Sequence, residues 1–316
     1  MTEQKLETPH SARQDEIQPF LLESSGIRGR LLRLGPVADT ILRRHDYPAP
    51  VASLLGEMLA LTGALSSLMK YEGVFTAQAK GDGPVSLLVS DVTAEGDLRG
   101  YAAVDAERLA GLLDSGRDVG LEELMGEGYF AYTVDRGPGR ERYQGIVALS
   151  GRTLADCLQH YFLQSDQVQS GILLAAERVE DSWRAGALIL QRIPEAGPQE
   201  PPLSSIEDED SWRRAMTLQV TCTKHELLDC TLSSHDLLFR LFHEEGVRVF
   251  DPRPVSAACR CSRGRLEQVL AAMPREDVAS MTVDGVIEAR CEFCSARYLF
   301  DEDALATLFE GLEPSH

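Results

Sequence analysis

Four cysteines near the C-terminus, spaced Cys259-x-Cys261 and Cys291-x-x-Cys294, restrict the fold of this chain more than any other feature. Each pair is a short chelate, and together they supply the four thiolates of a closed, tetrahedral structural zinc site. Zinc–sulfur bonds of ~2.3 Å place the sulfurs roughly 3.8 Å apart. Residues i and i+3 meet that separation across a knuckle turn, and residues i and i+2 meet it when an extended segment curls. The one-residue spacing of the first pair is the unusual one. The same pairs could also close as two short disulfides. A bridge across one residue is strained, strained bridges are the labile ones, and closing so short a loop adds little chain-entropy stability. Zinc contributes on the order of 10 kcal/mol to folding a small domain. Exchanging metal for disulfides would loosen this region. Two readings stand: a permanent structural zinc, or a redox switch.

Charge bears on that choice. The chain carries 31 Lys+Arg against 50 Asp+Glu, a net charge of −19. Residues 253–265 invert the sign, with Arg253, Arg260, Arg263 and Arg265 and no acid, and Arg290 and Arg297 flank the second pair. Cations near cysteines favour thiolates, the form that peroxide and hypochlorous acid attack; the plainer account is solvated surface. An acidic chain lacks the basic footprint of a nucleic-acid binder. The N-terminus MTEQKLETPHSARQDE has no signal-peptide core, and no apolar run of membrane-spanning length is evident. Cys157, Cys222 and Cys230, without evident partners, fit a reducing, cytoplasmic compartment.

The expected fold class is α+β: an N-terminal α/β core domain with antiparallel sheet and helices, a helical linker region, and a small C-terminal zinc-binding redox-switch domain. Residues 1–18 read as a polar, flexible extension, and 19–193 as the core domain, within the reach of a 316-residue chain of 43% hydrophobic content. Strands are predicted at 73–80, 85–91 and 97–104 around Gly81-Asp82-Gly83, and a second hairpin at 129–135 and 143–149 around Gly137-Pro138-Gly139. Helices are predicted at 51–68 and 154–163, the latter with a Thr153/Asp156 cap, and strands at 171–177 and 185–193. Residues 194–258 form the linker. Its first part, 194–210, holds Pro194, Pro198, Pro201, Pro202 and six acids with no Lys or Arg, and reads as an exposed connector. Residues 211–250 are apolar and helical, with a Thr223/Glu226 capping box and a helix from Ser234 that stops at Gly246. Forty residues are too few for an independent core, so this stretch must lie on other parts of the chain. Residues 259–316 form the zinc unit: a helix capped by Ser262 and ended by Pro274, a hairpin from Asp284-Gly285 around the Cys291–Cys294 knuckle, and a last helix capped by Asp301 that carries Leu305, Leu308 and Phe309. With so few large apolar groups, this unit needs its metal to fold.

The motifs IRGRLLRLG (27–35), HDYPAPVASLLGEMLAL (45–61), KGDGPVSLLVSD (80–91), LLFRLFHEEGVRVFDP (237–252), CRCSRGRL (259–266) and CEFCSARYLF (291–300) occur in one order along nearly the whole chain. In this the chain resembles the thirty-three-kilodalton heat-shock protein family of redox-regulated holdase chaperones. The resemblance implies a reduced, zinc-bound, inactive form with Cys259, Cys261, Cys291 and Cys294 as ligands. It further implies oxidation to disulfides Cys259–Cys261 and Cys291–Cys294, zinc release, unfolding of switch and linker, binding of unfolded or partly unfolded client proteins, and a homodimer in the active form. Two features depart from the pattern: Ser295 stands where a knuckle often has Gly, and Cys222 and Cys230 sit in the linker. Both extra cysteines, and Cys157, read as small apolar residues.

Release of the linker would expose Trp212, Met216, Leu218, Leu227, Leu228, Leu237, Leu238, Leu241 and Phe242, the client-binding candidates, and whatever they had covered. No Gly-x-x-x-x-Gly-Lys-[Ser/Thr] loop is present, so no nucleotide is expected. Other classes fit less well. A thiol oxidoreductase needs no second pair, and a zinc hydrolase needs an open coordination position that four thiolates close. His225, His235 and His243 read as polar helix surface. The strongest competitor is a constitutive interaction module with a purely structural zinc.

Overall fold

The computed structural model describes residues 14–114, 116, 119–136, 142–164, 168–192 and 206–310. The chain divides into two compact units, Met1–Ala257 and Ala258–His316. In the first, strands β1 (Glu16–Leu22) and β2 (Ile27–Leu34) precede helices α1 (Pro36–Leu42) and α2 (Ala49–Ser66). A meander of β3 (Val74–Gly81), β4 (Val85–Thr93) and β5 (Asp97–Val104) is followed by α3 (Ala106–Asp114), α4 (Leu121–Met125) and the hairpin β6 (Gly128–Val134), β7 (Tyr143–Ala148). Helix α5 (Leu154–Gln164) leads to the hairpin β8 (Ser170–Val179), β9 (Ser182–Arg192). Then come α6 (Ile206–Thr221), α7 (Lys224–Leu228), α8 (Ser234–Phe242) and three short strands, β10 (Val247–Val249), β11 (Arg253–Pro254) and β12 (Ser256–Ala257).

The strands form two sheets, ordered β10-β1-β2-β9-β8 with β11 also on β1, and β12-β5-β4-β3-β6-β7. Every pairing is antiparallel except β12 on β5. Helix α2 packs against strands of both sheets. Its sequence is apolar over most of its surface, the pattern of a helix that is largely enclosed. By length and composition it could cross a membrane, but 78% of it is buried inside this unit. Leu55, Met58, Leu59 and Leu65 join Leu32, Leu34, Ala187 and Ile189 of the first sheet and Phe75, Leu88 and Leu98 of the second in one core. Gly63 permits this approach, because a Cβ there would meet Leu32 Cδ2 at 2.6 Å.

The expected strands and helices recur within a few residues, and the Thr153 cap forms as drawn, with its Oγ1 accepting from Asp156 N–H at 3.1 Å. Residues 16–18 belong to β1 rather than to an extension, because each pairs with β2. The acid-rich end of the connector is also ordered: α6 begins at Ile206. The Gly137-Pro138-Gly139 turn and the prolines at 194–202 lie outside the described residues.

The second unit is smaller. It contains α9 (Arg263–Ala271), α10 (Arg275–Ser280), the antiparallel hairpin β13 (Val286–Arg290), β14 (Arg297–Asp301), and α11 (Glu302–Glu310). Ser262 caps α9 by accepting from Arg265 N–H, and Asp301 accepts from Ala304 N–H at 2.9 Å at the start of α11. The core is Leu270, Val278, Ile287, Phe300 and Leu305.

Candidate metal centre and the covered sheet face

All four cysteines of the sequence motif converge in the second unit. Their sulfurs lie within 4.8 Å of one another, and no other His, Cys, Asp or Glu of the described residues joins them. Cys259 and Cys291 sulfurs are 3.7 Å apart, and Cys261 and Cys294 sulfurs 3.3 Å. These spacings approach those of a tetrahedral tetrathiolate, so the cluster could hold a metal ion. The backbone accounts for the convergence. Cys261 directly precedes the α9 cap. The β13–β14 hairpin ends at the pair Arg290↔Arg297, and the loop beyond is closed by Ser295 N–H to Cys291 O at 2.8 Å and Cys291 N–H to Ala296 O at 2.9 Å.

Ser295 takes φ +59°, the left-handed conformation that a side chain disfavours by roughly 1–2 kcal/mol. Ser295→Gly is therefore expected to stabilise the knuckle by up to about 1 kcal/mol after glycine's larger unfolded-state entropy is subtracted. Thermal unfolding of the second unit should shift upward accordingly. A variant that melts lower would contradict the strain.

Two of the thiols are held above the ordinary range. Burial, and then hydrogen bonds with the neighbouring thiols, push Cys294 up to about 12 against an opposing bond from the Ala296 amide. Burial likewise raises Cys291. Tyr298 donates to Cys261 Sγ at 3.1 Å, a bond that raises the phenol to about 12. A bound cation would let four half-buried thiolates coexist, and a site of soft sulfur donors suits a soft or borderline metal. Arg263, Arg265 and Arg297 of the surrounding cluster bind the local fold. Arg263 bonds Glu267 and the Leu299 carbonyl and lies 4.5 Å over the Phe300 ring, Arg265 bonds the Arg260 carbonyl, and Arg297 pairs with Glu288 at 3.3 Å.

Helices α6–α8 cover the outer face of the first sheet. Leu227, Leu228, Leu237, Leu238, Leu241 and Phe242 are buried there, and Trp212 and Leu218 pack on them. The face beneath consists of Phe20, Leu22, Ile27, Leu31, Leu188 and Leu190. Alternation along β9 is clean: Leu188 and Leu190 face the helices while Ala187 and Ile189 face α2. Two glycines make room. A Cβ on Gly186 would meet Leu227 Cγ at 2.9 Å, and one on Gly171 would collide with the Met216 sulfur. These sheet residues were not assigned from sequence. Their signal is the run of apolar residues in β9 on both of its faces, which means that both faces are covered.

Polar groups fasten the cover. Gln219 donates to the Leu188 and Gly171 carbonyls at 2.8 and 3.2 Å. Glu245, 4% exposed, accepts from Arg214 and Ser24. Arg33, 6% exposed, donates to the carbonyls of Leu232 and, at 2.8 Å, of Glu226. An Arg33→Met chain keeps the volume but strands those carbonyls, a loss of about 1–3 kcal/mol each. Hydrogen exchange across 226–242 should accelerate by at least tenfold, and unchanged exchange would contradict a fastening role.

Of the remaining cysteines, Cys157 is in the main core, Cys222 is buried under the helical cover and Cys230 is half-buried. His235 bonds Gln18 at 3.1 Å and His243 the Phe239 carbonyl of its own helix.

A family model described as Hsp33 protein matches residues 15–301. A protein of Caulobacter vibrioides named 33 kDa chaperonin is 41% identical over 292 residues, covering 91% of this chain and 95% of its own length. One of the same name from Ectopseudomonas mendocina is 39% identical over 299 residues, covering 94% and 96%. The crystal structure of a 33 kDa chaperonin from Thermotoga maritima shares the fold, with a TM-score of 0.78 at 20% identity over 95% of this chain and 99% of that one. The match over almost the full length, together with the cysteine cluster, places this chain in the Hsp33 family of chaperones.

Proposed function

We propose that this chain is an ATP-independent holdase, switched on by oxidation, and not an enzyme. The carrying observation is the pairing of a four-thiol cluster with a small apolar core in the second unit, five buried side chains among the described residues with a few half-buried ones packed against them. A unit so poorly supplied with apolar burial depends on whatever holds its sulfurs together. Zinc, held by Cys259, Cys261, Cys291 and Cys294, would supply four strong bonds and fix the thiolates in one arrangement.

In this reading peroxide removes two electrons from each cysteine pair. The sulfurs of Cys259 and Cys261 join, those of Cys291 and Cys294 join, and each peroxide leaves as two waters once the thiols' protons are counted. Neither short bridge replaces the support that the four ligands gave, so 259–316 acts as a redox-switch domain. The linker, 194–258, is attached to it covalently through β10–β12, which are strands of two or three residues and correspondingly easy to fray. Loss of those strands removes the C-terminal anchor of α8. Helices α7 and α8, of five and nine residues, are too short to persist undocked, so mild heat would complete the release. The helices and Phe20, Leu22, Ile27, Leu31, Leu188 and Leu190 would then face solvent together, a surface suited to unfolded proteins. The charge of −19 would keep the opened chain soluble. The same apolar face would favour a homodimer of the active form. A cytoplasmic setting supplies the reducing background from which such a switch starts.

Hydrogen exchange before and after peroxide tests the sequence of events. Protection should vanish first in 258–310, then on warming in 206–257, with 27–192 unchanged. Loss of protection in 27–192 at the same time as in 206–257 would contradict a linker-specific release.

A further inference from the structure

The helical cover holds an oxidisable sulfur that is not a cysteine. Methionines are placed very differently along the chain: Met58 and Met125 are fully enclosed in the main core, and Met281 of the second unit is 44% exposed. Met216 of α6 falls between them and is half-buried. Helical spacing puts it on the stripe of Trp212, Ala215 and Gln219, of which Ala215 and Gln219 are buried. Helix α6 packs on β8 and β9, and β8 is the last strand of the first sheet. The thioether therefore sits at the rim of the cover, partly open to solvent.

Its seat is narrow and polar. A Cβ built on Gly171 of β8 would collide with Met216 Sδ and with Gln219 Oε1, and would lie 2.9 Å from Met216 Cε. Thioether and amide thus crowd one point above the glycine. The amide is fully committed there, since Gln219 Nε2 donates to the Gly171 and Leu188 carbonyls at 3.2 and 2.8 Å. A thioether asks for no strong hydrogen bond and fits beside these groups. A sulfoxide is bulkier and polar, and its oxygen needs a donor. The donor at hand is Gln219 Nε2, and drawing it away strands a sheet carbonyl. Leaving it in place sets the new oxygen among acceptors. Either way α6 loses its hold on β8.

We propose that Met216 is an oxidation site through which hypochlorous acid loosens the cover independently of the cysteines. The thioether sulfur gives up an electron pair and gains one oxygen, forming methionine sulfoxide, while chloride and a proton leave. This step goes beyond the disulfide switch: it involves no thiol and no metal, and it outlasts thiol reduction. Its direct readout is the docking of α6, whatever surface binds clients.

The test treats full-length, reduced, zinc-loaded protein with hypochlorous acid, and then with dithiothreitol and zinc. The thiol reductant returns the cysteines, whereas a sulfoxide persists until a methionine sulfoxide reductase removes it. Peptide mapping should place an oxygen on Met216, and amide exchange across 209–221 should run about tenfold faster than in untreated protein. The reductase should restore slow exchange. Met216→Leu keeps the volume without the sulfur, so it should start like wild type and stay slow after the oxidant. Met281→Leu should respond as wild type does. Met216→Gln sets a polar group in the same seat and should speed exchange with no oxidant at all. The site is overturned by Met216 left unmodified while Met281 is converted, by a Met216 sulfoxide with slow exchange, or by equal acceleration in Met216→Leu. Faster exchange without suppression of client aggregation would support the site and count against the client surface proposed above.

Discussion

A Cys291→Ser chain is expected to lose tight zinc binding, and with it the fold of residues 258–310. The sulfur of Cys291 is 3.7 Å from that of Cys259, and its backbone closes the knuckle through bonds with Ser295 and Ala296. A serine preserves those backbone bonds but replaces a soft thiolate with a poor ligand. Structural zinc contributes on the order of 10 kcal/mol to small domains of this kind, whereas the buried core among the described residues is Leu270, Val278, Ile287, Phe300 and Leu305, with Leu266, Met273, Tyr298 and Phe309 half-buried against it. No rearrangement of so small a core offsets such a loss. Zinc stoichiometry should fall from one to near zero, and amide dispersion of the second unit should collapse while the two sheets remain folded. A variant that retains one tightly bound zinc and a dispersed spectrum would contradict the four-ligand assignment.

The second large effect concerns the cover. Phe242 is fully buried and stacks on Phe20 with ring centroids 5.9 Å apart. Truncating such a residue costs about 3–5 kcal/mol, and Phe242→Asp adds the cost of burying an unpaired carboxylate. Helix α8 has nine residues and cannot persist undocked. The reduced, zinc-loaded variant is expected to lose exchange protection over 206–242 and to suppress client aggregation without peroxide. Its zinc content should match the wild type, which separates this effect from that of Cys291→Ser. A variant with an unprotected linker that stays inactive until oxidised would show that the face beneath α6–α8 is not the client surface.

What the sequence made legible was local chemistry. Cysteine spacing specifies a chelate by itself, and capping boxes at Thr153 and Thr223 depend on residues three positions apart. Helix α2 was evident from apolar residues recurring at helical spacing. What stayed hidden depends on distant partners. Strand β2 carries Arg28, Arg30 and Arg33, which obscure its alternation. Arg33 is nonetheless buried, because carbonyls about 200 residues further along the chain accept its hydrogen bonds. Strands β10–β12 are too short to leave a pattern, and their pairing with β1 and β5 is set by the fold. The acids of 206–210 looked like a solvated connector, though they begin a helix whose later turns dock through Ala215 and Gln219. The covered face could not be chosen from sequence, since it consists of strand residues whose outward orientation appears only once the register is known.

The most direct test measures zinc release and suppression of thermal aggregation of an unrelated client on the same sample, before and after peroxide at mildly elevated temperature. Reduced protein should hold about one zinc per chain and protect nothing. Oxidised protein should have released the zinc and should suppress aggregation until a thiol reductant is added. Zinc that stays bound through peroxide, with client protection the same in both states, would contradict the redox switch and leave a constitutive interaction module with a structural metal.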